Sequence, residues 1–219
     1  MAKRRVTFPS GALILEGVLD LPDGPGPHPA VVVCHPHPRM GGSMDNNVVM
    51  AACVGLSHVG IGSLCFNFRG VGDSQGSYGD GVGEHEDAMA AISFLESQPV
   101  VDSQRIGLTG YSFGAGVSVS VAPADPRVKA LALVAPSARL GEQNGNPLAG
   151  YTMPKLIMTG SFDNFAASPS TPAFLDSLPQ PIEFHLVDGA DHFWAGFEVE
   201  IAEKVGAFFA KYLGKGSQG

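Results

Sequence analysis

Apolar residues in this chain fall in short blocks separated by glycine- and proline-rich turns. Residues 30–34 (Ala-Val-Val-Val-Cys) and 130–134 (Ala-Leu-Ala-Leu-Val) are unbroken apolar runs, the pattern of strands buried on both faces of a parallel sheet. Strands are also predicted at 62–68, 105–109, 156–159 and 183–187, with helices at 46–59, 84–97 and 117–122 and a last one at about 194–212. Two earlier extended runs, 6–9 and 13–21, joined by Ser10-Gly11, read as a leading hairpin, and residues 22–29 are a turn-rich connector. Strand and helix alternate from there on. The alternation predicts an α/β protein with a mostly parallel sheet of about eight strands, an N-terminal antiparallel hairpin and helices on both faces. Ligands of such sheets bind beyond the carboxyl ends of the strands, so the chemistry is sought in those loops.

No repeat and no interior shift in composition divides the chain, so one domain is expected over residues 1–214, with 215–219 as a loose C-terminal tail. A formal net charge of −8 opposes attraction to nucleic acid or to an anionic membrane surface. A basic partner or a neutral small molecule fits the charge better, and a small-molecule substrate is expected; oligomeric state, a homodimer included, is left open. The basic start lacks an apolar run of signal-peptide length and no stretch is long enough to span a bilayer, which predicts a cytoplasmic protein. Cys34, Cys53 and Cys65 lie in apolar stretches without metal-type spacing and read as reduced, buried thiols.

Candidate chemistry begins at Gly110-Tyr111-Ser112-Phe113-Gly114, a G-x-S-x-G match between a predicted strand and a predicted helix. The glycines suit a strand that turns into a helix within a few residues, and the turn presents Ser112 as a nucleophile. A serine hydroxyl is weak at neutral pH and needs a base and a group that orients the base. After the strand at 156–159 comes Asp163, and after the last strand comes His192, in the order acid then histidine that this architecture requires. Asp163 is the predicted orienting acid and His192 the predicted base. His28, His58, His85 and His185 fall in a connector, on two helices and within a strand, where surface or core roles are expected, and Asp188 and Asp191 read as turn residues.

Acyl transfer also needs N–H donors for the oxyanion. Phe113 N–H is one candidate. The other comes from the loop His35-Pro36-His37-Pro38-Arg39-Met40, where the prolines cannot donate, leaving His35 and His37; His37 is chosen. A metal on the His35/His37 pair is the competing reading, but no carboxylate or cysteine at zinc-site spacing accompanies it, so no metal or other cofactor is expected. Met40, Tyr111, Phe162, Phe165, Phe193 and Trp194 cluster around these motifs and form the candidate substrate pocket. The loop over residues 135–153 is short for a lid, so an open site is predicted.

With these residues assembled, the chain resembles the α/β-hydrolase superfamily, in particular the compact bacterial hydrolases near the dienelactone hydrolases. The resemblance covers nearly the whole chain. It rests on His35-Pro-His-Pro, Gly41-Gly-Ser-Met-Asp-Asn46, Asn67-Phe-Arg-Gly-Val-Gly-Asp-Ser74, the Gly110–Gly114 elbow, Gly160-Ser-Phe-Asp163 and Gly189-Ala-Asp-His-Phe193. It implies the α/β-hydrolase fold, the Ser112–Asp163–His192 triad, and an oxyanion hole at Phe113 and His37. It also implies that Arg69, Gly70, Gly72 and Ser74 shape the floor of the site and that Asp45-Asn46 brace the His-Pro loop. Dienelactone hydrolases carry cysteine at the elbow where this chain has Ser112, which argues against dienelactone as substrate. The expected activity is hydrolysis of short-chain carboxylic esters through an acyl-enzyme. A non-catalytic binding module, or the same triad acting on thioesters, lactones or peptides, are the alternatives.

Overall fold

Strand β3 (His28–Cys34) shows how the sequence builds the sheet. Side chains alternate across a strand, and here Ala30, Val32 and Cys34 enter one buried apolar cluster while Val31 and Val33 enter another. An unbroken apolar run is therefore needed, because neither face meets water. β4 (Gly62–Phe66), β6 (Val128–Val134) and β7 (Lys155–Gly160) are buried almost throughout, though Ser63, Lys155 and Thr159 are among their buried residues, whereas β8 (Ile182–Val187), at an edge, leaves Phe184 and Leu186 exposed.

The computed structural model describes residues 2–136, 147–165 and 175–214. β1 (Ala2–Ser10) and β2 (Leu13–Leu21) form the antiparallel hairpin, turning at Gly11 with φ 57°. β2 runs antiparallel to β4; beyond it β3, β5 (Val101–Tyr111), β6, β7 and β8 are all parallel. The order across the eight-stranded sheet is β1-β2-β4-β3-β5-β6-β7-β8. Helices α2 (Val82–Glu96) and α3 (Phe113–Ala124) bury Ile92, Leu95, Val117 and Val121 against one face. Helices α1 (Asn47–His58) and α4 (Glu198–Leu213) bury Val48, Leu56, Val205 and Phe209 against the other. α1 and α4 touch backbone to backbone: a Cβ on Gly55 would lie 2.0 Å from the Ala202 carbonyl oxygen.

The sheet, hairpin and two helical layers are those predicted, and the differences sit at element ends. β4 stops at Phe66 because the Phe68 N–H is bonded to the His35 ring instead of to a neighbouring strand. α4 starts at Glu198, since Asp191 Oδ1 accepts the N–H groups of Phe193 and Trp194 and Trp194 turns back at φ 58°. Residues 137–146 of the predicted lidless loop and the 215–219 tail lie outside the described residues. No helix among the described residues is long and apolar enough to cross a membrane.

Candidate active site

β5 ends at Tyr111 and α3 begins at Phe113, so Ser112 carries the whole turn. Its backbone has φ 53° and ψ −111°, a region that costs a non-glycine residue of order 1–3 kcal/mol. The neighbours explain how this is held. A Cβ on Gly110 would lie 2.2 Å from the Gly114 carbonyl oxygen, and one on Gly114 would lie 2.4 Å from that of Cys34. Both positions admit only glycine, and the second presses the start of α3 onto the end of β3. Ser112 N–H donates to the Val134 carbonyl at 3.0 Å.

Ser112 Oγ lies 3.0 Å from His192 Nε2, and His192 Nδ1 lies 3.0 and 2.9 Å from the two oxygens of Asp163. Facing a carboxylate, Nδ1 holds the proton; Nε2 is left to accept from the serine hydroxyl. Asp163 is buried and His192 stands in the loop after β8. Ser161 Oγ ties these two loops, donating to Asp188 Oδ1 at 3.1 Å and accepting from Gly189 N–H at 2.8 Å. Tyr111 donates its hydroxyl to the His192 carbonyl at 2.6 Å, and burial, then the Asp163 and Asp191 charges, push its pKa up to about 12. Asn47 Nδ2, at the start of α1, holds the Phe193 carbonyl from the far side. His28, His58, His85 and His185 form no described hydrogen bond to Ser112 and occupy β3, α1, α2 and β8.

The loop 35–42 approaches Ser112 from β3. His35 is fully buried, its Nδ1 facing the Pro36 carbonyl at 2.6 Å and its Nε2 accepting the Phe68 N–H at 3.1 Å. Both His35 ring nitrogens are thus spent within the protein, which leaves that side chain no lone pair for a metal. His37 Nδ1 accepts the Arg39 N–H at 3.1 Å, so the proton sits on Nε2, which points to the Tyr78 hydroxyl at 3.2 Å. The rings of His37, Tyr78 and Phe113 form a cluster of tilted contacts, with centroids 4.9 to 5.9 Å apart. Neither the Phe113 nor the His37 N–H has a described partner within the protein.

Below this loop the Asn67–Ser74 segment is fastened by buried polar groups. Glu16 Oε1 accepts from Asn67 Nδ2 and Asp73 N–H, both at 2.7 Å, while Asn67 Oδ1 accepts the Met44 N–H. Arg69 lies against buried Asp87, donating from Nε and Nη2 at 3.0 and 2.9 Å. Glu84 accepts the N–H groups of Gly79 and Gly81 and so fixes the stretch that carries Tyr78. Asn46 caps α1 through its Oδ1, and Asp45 makes a local bond to Ser43. Tyr78 and the partners Glu16, Glu84 and Asp87 escape a sequence reading: single polar residues in a glycine-rich loop (Tyr78), on a strand (Glu16) or on a helix (Glu84, Asp87) carry no periodic signal.

The six candidate pocket residues separate. Met40, Phe162, Phe165 and Phe193 are exposed. Trp194 is a correction: at 0 % exposure it belongs to the apolar cluster under α4, since the turn at 191–197 folds its indole inward. Tyr111 is likewise buried and supports His192 instead of lining open space.

A profile of the X-Pro dipeptidyl-peptidase (S15) family matches residues 15–145, more than half of the chain. An uncharacterized protein of Rickettsia prowazekii is 33 % identical over 172 residues, covering 76 % of this chain and 72 % of that protein. Other curated relatives are longer, the chain spanning 38 % of an uncharacterized 31.7 kDa protein of Escherichia coli. Among solved structures, an α/β serine hydrolase homologue from Coxiella burnetii superposes with TM-score 0.81 at 34 % identity, covering 94 % of this chain and 97 % of that one. A lidless α/β serine hydrolase from Xanthomonas campestris gives TM-score 0.83 at 29 % identity, over 97 % and 96 % of the two chains. On the family match and these whole-chain likenesses, the chain belongs to the X-Pro dipeptidyl-peptidase (S15) family and is an α/β serine hydrolase.

Proposed function

We propose that the protein hydrolyses carboxylic esters through an acyl-enzyme on Ser112. The observation that carries this reading is the hydrogen-bonded run from Ser112 Oγ through His192 to Asp163, each step 3.0 Å or shorter. His192 Nε2 takes the serine proton as Oγ attacks the carbonyl carbon and returns it to the leaving alcohol; water then repeats the sequence in reverse roles. Asp163 keeps the imidazole in its Nδ1–H form and stabilises the imidazolium. The N–H groups of Phe113 and His37, without described partners, hold the oxyanion. The chemistry calls for no cofactor.

An ester fits the surroundings better than a peptide with a free N-terminus. Met40, Phe162, Phe165 and Phe193 give the loops about the site exposed apolar surface, which an ester with apolar groups covers at less cost than a peptide whose ammonium must leave water. Crowding of Tyr78, His37 and Phe113 on the oxyanion side favours short acyl chains. The test is hydrolysis of p-nitrophenyl esters from acetate to decanoate, with an Ala-Pro p-nitroanilide as the peptide comparison. We expect acetate or butyrate to be preferred, with Ser112→Ala losing at least a thousandfold in kcat. Turnover of the anilide in preference to every ester would reverse the assignment.

A further inference from the structure

Where the proton travels decides which part of the substrate meets which wall of the site. In the acylation step Ser112 Oγ bonds to the carbonyl carbon and its proton passes to His192 Nε2; when the C–O bond breaks, that proton leaves on the alcohol oxygen. The leaving oxygen must then sit within hydrogen-bond reach of Nε2, and the alcohol portion is bordered by whatever surrounds the imidazole.

Three rings surround it: Phe165 at 5.0 Å, Tyr111 at 5.7 Å and Phe193 at 5.9 Å between centroids. Tyr111 is buried with its hydroxyl tied to the His192 carbonyl, so it supports the histidine and offers no open surface. Phe165 and Phe193 come from two different loops and are 65 % and 64 % exposed, an unusual state for two phenyl rings against one histidine. Both loops are held: Phe165 N–H donates to Asp163 Oδ1 at 2.9 Å and Phe193 N–H to Asp191 Oδ1 at 2.9 Å. On the oxyanion side, by contrast, the rings of His37, Tyr78 and Phe113 pack against one another in tilted contacts.

Resting on the ester-hydrolase reading above, we infer that Phe165 and Phe193 form the leaving-group subsite and that the enzyme selects esters of apolar alcohols. Of the candidate pocket residues, this pair is thereby assigned to the alcohol side. Each methylene of the alcohol that leaves water against these rings raises the specificity constant about threefold to fourfold.

The test holds the acyl group fixed. Ethyl, butyl, hexyl and 2-phenylethyl acetates pass through one acetyl-enzyme and release primary alcohols of similar acidity, so differences in kcat/KM report contact with the alcohol. We expect a rise of about tenfold or more from ethyl to hexyl and 2-phenylethyl acetate. The Phe165→Ala/Phe193→Ala double variant should compress that ratio to within about twofold. In wild-type enzyme acetylated from p-nitrophenyl acetate, hexanol should capture the acetyl group ahead of ethanol at equal concentration. A flat series in a wild type that a fluorophosphonate labels on Ser112, a ratio that survives the double substitution in a labelled variant, or ethanol capturing as well as hexanol would each overturn the subsite alone. Failure of the wild type to label overturns the hydrolase reading and the subsite with it.

Discussion

Ser112 and His37 show what single residues must do to make this site. Ser112 is held at positive φ on a turn whose flanking glycines leave no room for a Cβ, and its hydroxyl is aimed at His192. His37 has a fixed tautomer: Nδ1 is occupied by the Arg39 N–H, so Nε2–H is given to the Tyr78 hydroxyl. Tyr78 is pushed above its ordinary pKa by burial and by the Glu84 and Asp80 charges, so it stays a neutral phenol there. Removing the hydroxyl in Tyr78→Phe keeps the ring and unpairs His37, which loosens the loop that offers the His37 N–H. On the proposed role of the His37 N–H as an oxyanion donor, we expect kcat to fall about tenfold with KM and melting temperature nearly unchanged, since misplacing such a donor acts on the transition state. Steady-state kinetics alongside a thermal melt check this; an equal loss in KM would instead place the hydroxyl in ground-state binding.

At the scale of elements, the His-Pro loop is fastened to β3 and β4 by one buried ring. Burial brings the His35 pKa down from 6.5 to about 4, partly countered by the Pro36 carbonyl. Between those values the unfolded chain binds a proton that the folded protein refuses. Stability from His35 is therefore complete above about pH 6.5 and declines as pH falls towards 4, by about 3 kcal/mol in all. Urea unfolding midpoints at pH 7 and pH 4.5 measure the loss, and His35→Gln, which does not titrate in this range, should show a shallower decline; an equal decline in the variant would locate the effect in other groups. The elements themselves were largely legible: unbroken apolar runs marked β3 and β6, and a strand-serine-helix passage marked the elbow. What escaped were ends fixed by side chains. Phe68 N–H on His35 ends β4, and Asp191 on Phe193 and Trp194 delays α4, neither of which leaves a trace in hydrophobic spacing.

Across the whole molecule, the parallel order of β3 and β5 to β8 gathers loops distant in sequence at one end of the sheet. That is why Ser112, Asp163 and His192, 51 and 29 residues apart, meet within 3.0 Å contacts. Their juxtaposition was legible because fold type and loop order together leave few candidates. The pocket was less so: an aromatic next to a motif points in or out according to local turns, and the turn at 191–197 sent Trp194 into the core while leaving Phe193 exposed. The most direct test of the central claim is the site of covalent labelling by a fluorophosphonate, read by peptide mass spectrometry on wild type, Ser112→Ala and His192→Ala. The account predicts a single adduct on Ser112, absent from Ser112→Ala and formed at least a hundredfold more slowly in His192→Ala. A folded wild type that takes up no label, or an adduct that persists in Ser112→Ala, would contradict it.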